Sequence, residues 1–268
     1  MATHFSDRLC DAIKTKETPL TVGLDPVYSK LPKAIISHKD MNDEFDLGAA
    51  IDATFEFCTK AIRIVAPIVP AIKMNIAFFE NYLWEGLEMY YSLIAEAKQQ
   101  GLEVIADVKR GDIGHSATQY AIANLKNSEF MDFEDIVKAD AITVNGFAGA
   151  EGIEPFANVA AEKGKGVFVW VRASNPSAAA IQDFQDADGV KMYEKLAEIT
   201  AEIANRPRSI GENGYSDIGM VVGGTTAEQT AEMRSKYPKT WFLVPGLGSQ
   251  VLPQKIALSS EMLTAMEL

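Results

Sequence analysis

The chain predicts an α/β fold, a (β/α)8 TIM barrel whose eighth strand is missing or replaced by an abnormal C-terminal tail, and three observations carry that prediction. Seven short apolar runs rich in Val and Ile alternate with longer segments of helical period, the pattern of βαβ units around a parallel sheet. Each run ends in polar or Gly/Pro residues, in turn GLDP, KMN, ADVKRGD, VNGF, VRASNP, VVGGT and VPGLG. These endings are spread over all seven runs, as they are where strand C-termini converge on one barrel mouth. An open doubly wound sheet gathers them at one crevice behind a glycine-rich first turn, and GLDP is no G-x-G-x-x-G.

In chain order the expected strands are residues 20–24, 70–74, 103–107, 141–145, 167–171, 218–222 and 241–244. Between them, 49–66, 78–100, 190–205 and 226–237 mix apolar and charged residues as amphipathic helices do, and would form the outer ring. Segments 29–47 and 205–217 are polar and irregular and read as insertions on one scaffold. With no internal repeat and no low-complexity linker, residues 1–250 form one barrel domain and 251–268 an atypical tail.

Composition narrows the function. At 268 residues and 47% hydrophobic content the chain buries a large core. A net charge of −12 and a pI near 4.8 oppose the rows of phosphates that nucleic acid presents, so no nucleic-acid partner is expected. A local positive pocket for a small anion is still allowed. The two cysteines (Cys10, Cys58) and three histidines (His4, His38, His115) lack metal-ligand spacing. No window reaches the roughly 18 apolar residues of a membrane span, and the expected location is cytoplasmic.

The sharpest chemical feature is IADVKRGDIGHS, with Asp107 and Lys109 two apart at a strand end and Asp112 in the following loop. Strand period two puts Asp107 and Lys109 on one face. An isolated pair of this kind is usually a solvated surface ion pair. Charges leaving an apolar strand toward a barrel mouth are different, because desolvated charges persist only when paired, and active sites are built that way. Lys73 in VPAIKMN and Asp25 in TVGLDP extend the set, so that Asp25, Lys73, Asp107 and Lys109 form an alternating charge chain. At the sixth and seventh strand ends, where barrels often hold phosphate, VVGGT and VPGLGSQ supply Gly223, Gly224, Gly246 and Gly248. Glycines there let backbone N–H groups approach an anion, with Thr225 or Ser249 near a helix N-terminus.

Taken together and in order across residues 20–250, GLDP, AIKMN, ADVKRGDIG, RASNP, VVGGT and VPGLGSQ resemble the orotidine 5′-monophosphate decarboxylase family, in particular its longer bacterial, type 2 branch. The resemblance implies decarboxylation of a pyrimidine nucleotide, orotidine 5′-monophosphate to uridine 5′-monophosphate in pyrimidine biosynthesis, with no metal and no cofactor. It makes Lys109 the proton donor to C6, Asp107 the neighbour of the departing carboxylate, Lys73 the tie between Asp107 and the ribose, and Asp25 the ligand of the ribose hydroxyls. Asp112, accompanied by Ser116, would reach across a homodimer interface into a shared site. Ser174 and Asn175 would read the pyrimidine edge, and Gln182 would sit in a loop closing over the ligand. Arg172 receives no role, and His115 reads as structural. The chemistry demands such residues: loss of carbon dioxide from C6 leaves a carbanion in the ring plane, beyond delocalisation, and a lysine ammonium supplies both fixed charge and a proton.

The resemblance stops after Gln250. The family continues with a glycine, a helix, an eighth strand and a phosphate-holding arginine, whereas this chain reads VLPQKIALSSEMLTAMEL and has no arginine after Arg234. One base added ahead of Val251 lets these residues back-translate into a family-like continuation, so the tail reads as frameshifted. Two other readings share the scaffold: a magnesium-dependent sugar-phosphate decarboxylase or synthase with the same Asp-x-Lys-x-x-Asp strand, and a nucleotide-binding barrel without turnover. A Schiff-base aldolase using Lys109 or Lys73 is a further enzyme class. Lys73 and the ASNP segment favour the nucleotide enzyme.

Overall fold

A computed structural model of the chain describes residues 3–36, 46–130, 135–223, 227–247 and 262–267. Eight parallel strands close into a barrel in sequence order. They are β1 (Leu20–Leu24), β2 (Ala71–Asn75), β3 (Glu103–Arg110), β4 (Ala141–Asn145), β5 (Gly166–Arg172), β6 (Ile218–Val222), β7 (Phe242–Leu247) and β8 (Met262–Glu267). The helices are α1 (Phe5–Lys16), α2 (Lys33–Ile36), α3 (Leu47–Val65), α4 (Ala77–Glu80), α5 (Leu83–Gln99), α6 (Gly114–Leu125), α7 (Ala150–Lys163), α8 (Ala179–Gln182), α9 (Met192–Ala204) and α10 (Ala227–Lys236). Among the described residues no helix is long and apolar enough to cross a membrane.

Seven strands are expected from the sequence, with the eighth place missing or replaced by the tail. The backbone takes the second alternative. Residues Met262–Glu267 of the tail lie parallel to β7, Val244 opposite Thr264, and parallel to β1, Leu20 opposite Thr264. Closure pairs the backbone edges that an open seven-strand sheet would leave exposed.

Alternation along each strand sorts its side chains into two layers. Ile72 and Met74 of β2 face outward and join the main core with Tyr90 and Leu93 of α5. The inward positions begin at the N-terminal end with Ala71, Ile105, Ala141, Phe168, Trp241 and Leu243, which pack against Phe5, Leu9 and Ile13 of α1. Those α1 residues recur every four positions and therefore share one helix face. The helix thus plugs the bottom of the barrel. Phe5 meets Phe168 edge to face at 6.1 Å between centroids.

The 205–217 insertion also serves this lower end. Asp7 of α1 accepts from the backbone N–H groups of Glu212 and Asn213, each at 2.9 Å. Asp217 accepts from Ser6 N at 2.8 Å and lies 2.6 Å from His4 Nδ1.

The expected 78–100 helix is two helices, because Leu83, the first residue of α5, takes a left-handed conformation (φ 55°) that breaks it from α4. Gly86 permits the resulting close fold, since a Cβ there would lie 1.9 Å from the Phe79 carbonyl oxygen.

Candidate active site

Continuing the inward-facing series past the plug leads to the other end of the barrel. Above Ala71 come Lys73 and Asn75, above Ile105 comes Asp107, above Ala141 comes Thr143, and above Phe168 comes Trp170. These side chains, with Lys109, Ser174 and Pro245 among the remaining walls, enclose a cavity of about 190 Å³. The strand C-termini build it, as barrel architecture favours.

β3 departs from regular pairing at this point. Ala106 is opposite Ile142 and Arg110 opposite Val144, so four steps along β3 match two along β4. The extra residues bulge, and Lys109 adopts φ 43°, a left-handed backbone uncommon for a side chain of its size. Period two alone therefore misdescribes how Lys109 meets Asp107: a bulge, rather than a straight pleat, brings them together. The freed Lys109 N–H donates to Thr143 Oγ1 at 2.9 Å, and the Thr143 hydroxyl donates to Asp107 Oδ1 at 2.7 Å.

The four charges expected to form a chain do so. Lys73 Nζ lies 3.4 Å from Asp25 Oδ1 and 3.5 Å from Asp107 Oδ2, and Lys109 Nζ donates to the same Asp107 Oδ2 at 2.7 Å. Lys73 is 4% exposed and Asp107 7%, so these charges interact with little screening by solvent. Burial pushes the Asp107 carboxyl up, but the charges of Lys73 and Lys109, with hydrogen bonds from Lys109 and Thr143, outweigh it and hold the group below its ordinary range. The site therefore presents an ionised carboxylate between two ammonium groups.

The remaining expected residues divide. Ser174 and Asn175 line the cavity, with Asn175 Nδ2 donating to Ser177 Oγ at 2.8 Å. Gln182 borders an adjacent cavity of about 170 Å³ that shares the Trp170 wall. Gly223 closes on the 173–174 backbone, where a Cβ would meet Ala173 and Ser174 main-chain atoms at 2.8 Å. Gly246 has φ 111°, open to glycine. Gly224, Thr225, Gly248 and Ser249 lie outside the described residues. Asp112 and Ser116 are exposed on the rim beyond β3, away from this chain's own cavity; Asp112 Oδ1 accepts from Ile113 N at 2.8 Å.

Among the residues with no role from the sequence, three polar ones in or beside the site stand out. Asn75 and Thr143 face the cavity, and Arg172 is pinned at its edge. The Arg172 guanidinium donates to Gln182 Oε1 at 2.8 Å, pairs with Asp183 at 3.2 Å and lies 5.5 Å from the Tyr193 ring centre. An arginine closing an apolar strand, as Arg172 closes β5, is the sequence signal that points to it.

The family model described as Orotidine 5′-phosphate decarboxylase / HUMPS family matches residues 18–261 and stops immediately before β8. The chain is similar to the Rhodopirellula baltica protein named orotidine 5′-phosphate decarboxylase, at 37% identity over 246 residues, 92% of this chain and 79% of that one. A Caldicellulosiruptor bescii protein of the same name is 36% identical over 254 residues, 92% of this chain and 80% of that one. Among solved structures, that of Leishmania donovani OMP decarboxylase superposes with a TM-score of 0.73 at 28% identity, covering 99% of this chain and 90% of that one.

Proposed function

The chain belongs to the orotidine 5′-phosphate decarboxylase / HUMPS family, and from that membership we infer that it is a carboxy-lyase converting orotidine 5′-monophosphate to uridine 5′-monophosphate in pyrimidine biosynthesis. The observation that carries the reading is the alternating charge chain Asp25, Lys73, Asp107 and Lys109 at the strand C-termini, of which Lys73, Asp107 and Lys109 line one cavity.

In the reaction the C6–carboxylate bond breaks, carbon dioxide departs and the electron pair stays on C6. The Lys109 ammonium faces that developing charge, stabilises it and gives C6 its proton, then recovers a proton from solvent. Asp107, beside the departing carboxylate, fixes the Lys109 ammonium; its own charge also repels the substrate carboxylate, a lesser contribution. Lys73 keeps Asp107 ionised and, with Asp25, addresses the ribose. Ser174 and Asn175 read the pyrimidine edge, Gln182 belongs to the loop closing over the ligand, and the VVGGT and VPGLGSQ motifs, with Gly223, Gly224, Gly246 and Gly248, are the proposed phosphate grip. Phosphate contacts supply the binding energy that positions the ring.

We further propose a two-fold dimer in which Asp112 and Ser116 complete the neighbouring site, a reading supported by their exposure on the rim, next to Ile113 at 53% exposed. The ordered motif set from GLDP to VPGLGSQ supports the longer bacterial, type 2 branch. The test is direct: mixing the protein with orotidine 5′-monophosphate should produce the ultraviolet change of decarboxylation, at the same rate with a metal chelator present. No change in absorbance rejects the activity, and loss of turnover with the chelator turns the assignment to the magnesium-dependent alternative.

A further inference from the structure

We propose that Thr143 is a positioning residue for the decarboxylation step, its single hydroxyl holding both the Asp107 carboxylate and the Lys109 backbone in place. The inference rests on the roles given above to Asp107 and Lys109.

The direction of each hydrogen bond is determined. A backbone N–H only donates, so Thr143 Oγ1 accepts from Lys109 N at 2.9 Å. An ionised carboxylate only accepts, so the one hydroxyl proton goes to Asp107 Oδ1 at 2.7 Å. Thr143 is 2% exposed, and a charge-assisted bond in so dry a place is stronger than its counterpart in water.

Both contacts answer needs created by the bulge. Lys109 at φ 43° has left the β3–β4 ladder, and its part-buried N–H would otherwise lack its ladder partner. The hydroxyl satisfies it and so supports the left-handed turn that aims the side chain. At the same time Oδ1 of Asp107 is occupied, which leaves Oδ2 to both Lys109 at 2.7 Å and Lys73 at 3.5 Å. Without the hydroxyl the carboxylate is free to rotate about its last torsion, a broad two-fold one, and the ammonium of Lys109 follows it. A threonine in AITVN reads from sequence as an ordinary β-branched strand residue, which is why its role emerges only from the geometry.

The experiment compares the wild type with Thr143→Val, which keeps the shape and loses the hydroxyl, and Thr143→Ser, which keeps the hydroxyl. Thr143→Ala provides a second hydroxyl-free variant, and circular dichroism selects the folded one. The hydroxyl-free variant should lose roughly tenfold to a hundredfold in kcat, with KM and uridine 5′-monophosphate affinity nearly unchanged. The acid limb of its kcat profile should move to higher pH, because ionised Asp107 has lost a donor. Thr143→Ser should recover most of the rate.

Carbon-13 NMR titration of the Asp107 carboxyl, which needs no turnover, should show the same upward movement. A folded hydroxyl-free variant with wild-type kcat and unmoved Asp107 titration overturns the proposal, as does a Thr143→Ser variant no better than Thr143→Val. A wild type that titrates as described yet does not decarboxylate the nucleotide overturns the functional reading instead, and with it any catalytic effect of Thr143.

Discussion

Lys109 donates to Asp107 Oδ2 at 2.7 Å across a backbone bent into the left-handed region at Lys109 itself. Two residues apart on a straight strand, the side chains would stand parallel; the bulge converts that parallel pair into a contact. The lysine stays 41% exposed along its side chain while the carboxylate is 9% exposed, so the ammonium remains within reach of a ligand in the cavity. Lys109→Ala should therefore lower kcat by about 10²–10⁴-fold or more, the worth of a positioned proton donor, while uridine 5′-monophosphate still binds. Steady-state kinetics and product titration check this. Near-normal turnover would remove Lys109 from the chemistry.

The depressed Asp107 pKa has a consequence for acid stability. A carboxyl whose folded pKa lies below its unfolded value of about 3.9 stabilises the fold fully above that value, and the contribution is lost as pH falls through the folded pKa. Burial alone would raise this pKa, and the charges of Lys73 and Lys109 overcome it. Asp107→Asn should cost on the order of 3 kcal/mol at neutral pH, because it leaves two buried or half-buried ammonium groups with less compensation. The melting-temperature gap to wild type should narrow as pH drops below the ordinary carboxylate range. A gap independent of pH contradicts the ion-pair account.

Much of this site is legible in the sequence, and the reasons are physical. Asp25, Lys73, Asp107 and Lys109 can be found because charged residues at the ends of apolar strands stand out against their surroundings, and a barrel sends every strand end to one mouth. Arg172 stands in an equally visible position in VRASNP, yet sequence cannot distinguish a surface arginine from one pinned by Gln182 and Asp183. The helix α6 is faint because its buried face consists of Ala117, Ala121 and Leu125, too little apolar contrast for a clear period. The strand MLTAME is fainter still: it has neither a Val/Ile run nor a strand-end motif, and its strand state follows from the edges of β7 and β1 that it pairs.

Arg172 should matter for substrate affinity through Gln182. The guanidinium and the Ala173 N–H both donate to Gln182 Oε1, at 2.8 and 2.9 Å, and since neither can accept, the amide is held with its Nε2 turned away from them, where it can donate to a ligand. Arg172→Ala should raise KM roughly tenfold and change kcat less. Arg172→Lys should not restore it, because a point charge cannot replace a planar fork serving Gln182 and Asp183 together. An unchanged KM in folded Arg172→Ala would show that the Gln182 orientation is immaterial to binding.

The proposed shared site makes a quantitative prediction. In a two-fold dimer with Asp112 crossing the interface, Lys109→Ala and Asp112→Ala are each inactive. A mixed dimer of the two has one fully intact site and one doubly damaged site. Equal mixing with free exchange should restore about one quarter of the wild-type rate, since half the dimers are mixed and each has one working site. Native mass spectrometry establishes the exchange. Mixed dimers with no recovered activity exclude a site shared through Asp112.

The tail yields the last prediction, which depends on backbone alone. Thr264 sits midway along β8 and lies opposite Val244 of β7 and Leu20 of β1, so a break there reaches both seams of the barrel at once. Proline at this position removes an N–H from the ladder and is excluded from the interior of a sheet for that reason. Thr264→Pro should cost about 3 kcal/mol or more, a large part of the roughly 5–15 kcal/mol that keeps a domain folded. It should also leave strand edges on β7 and β1 open to association. Thermal melting and light scattering measure the two effects. If β8 closes the barrel, the variant melts well below wild type and aggregates on heating. If the residues after 261 are instead a loose extension, proline there is nearly neutral, the melting temperatures coincide, and the barrel must draw its stability from the seven strands that the sequence makes plain.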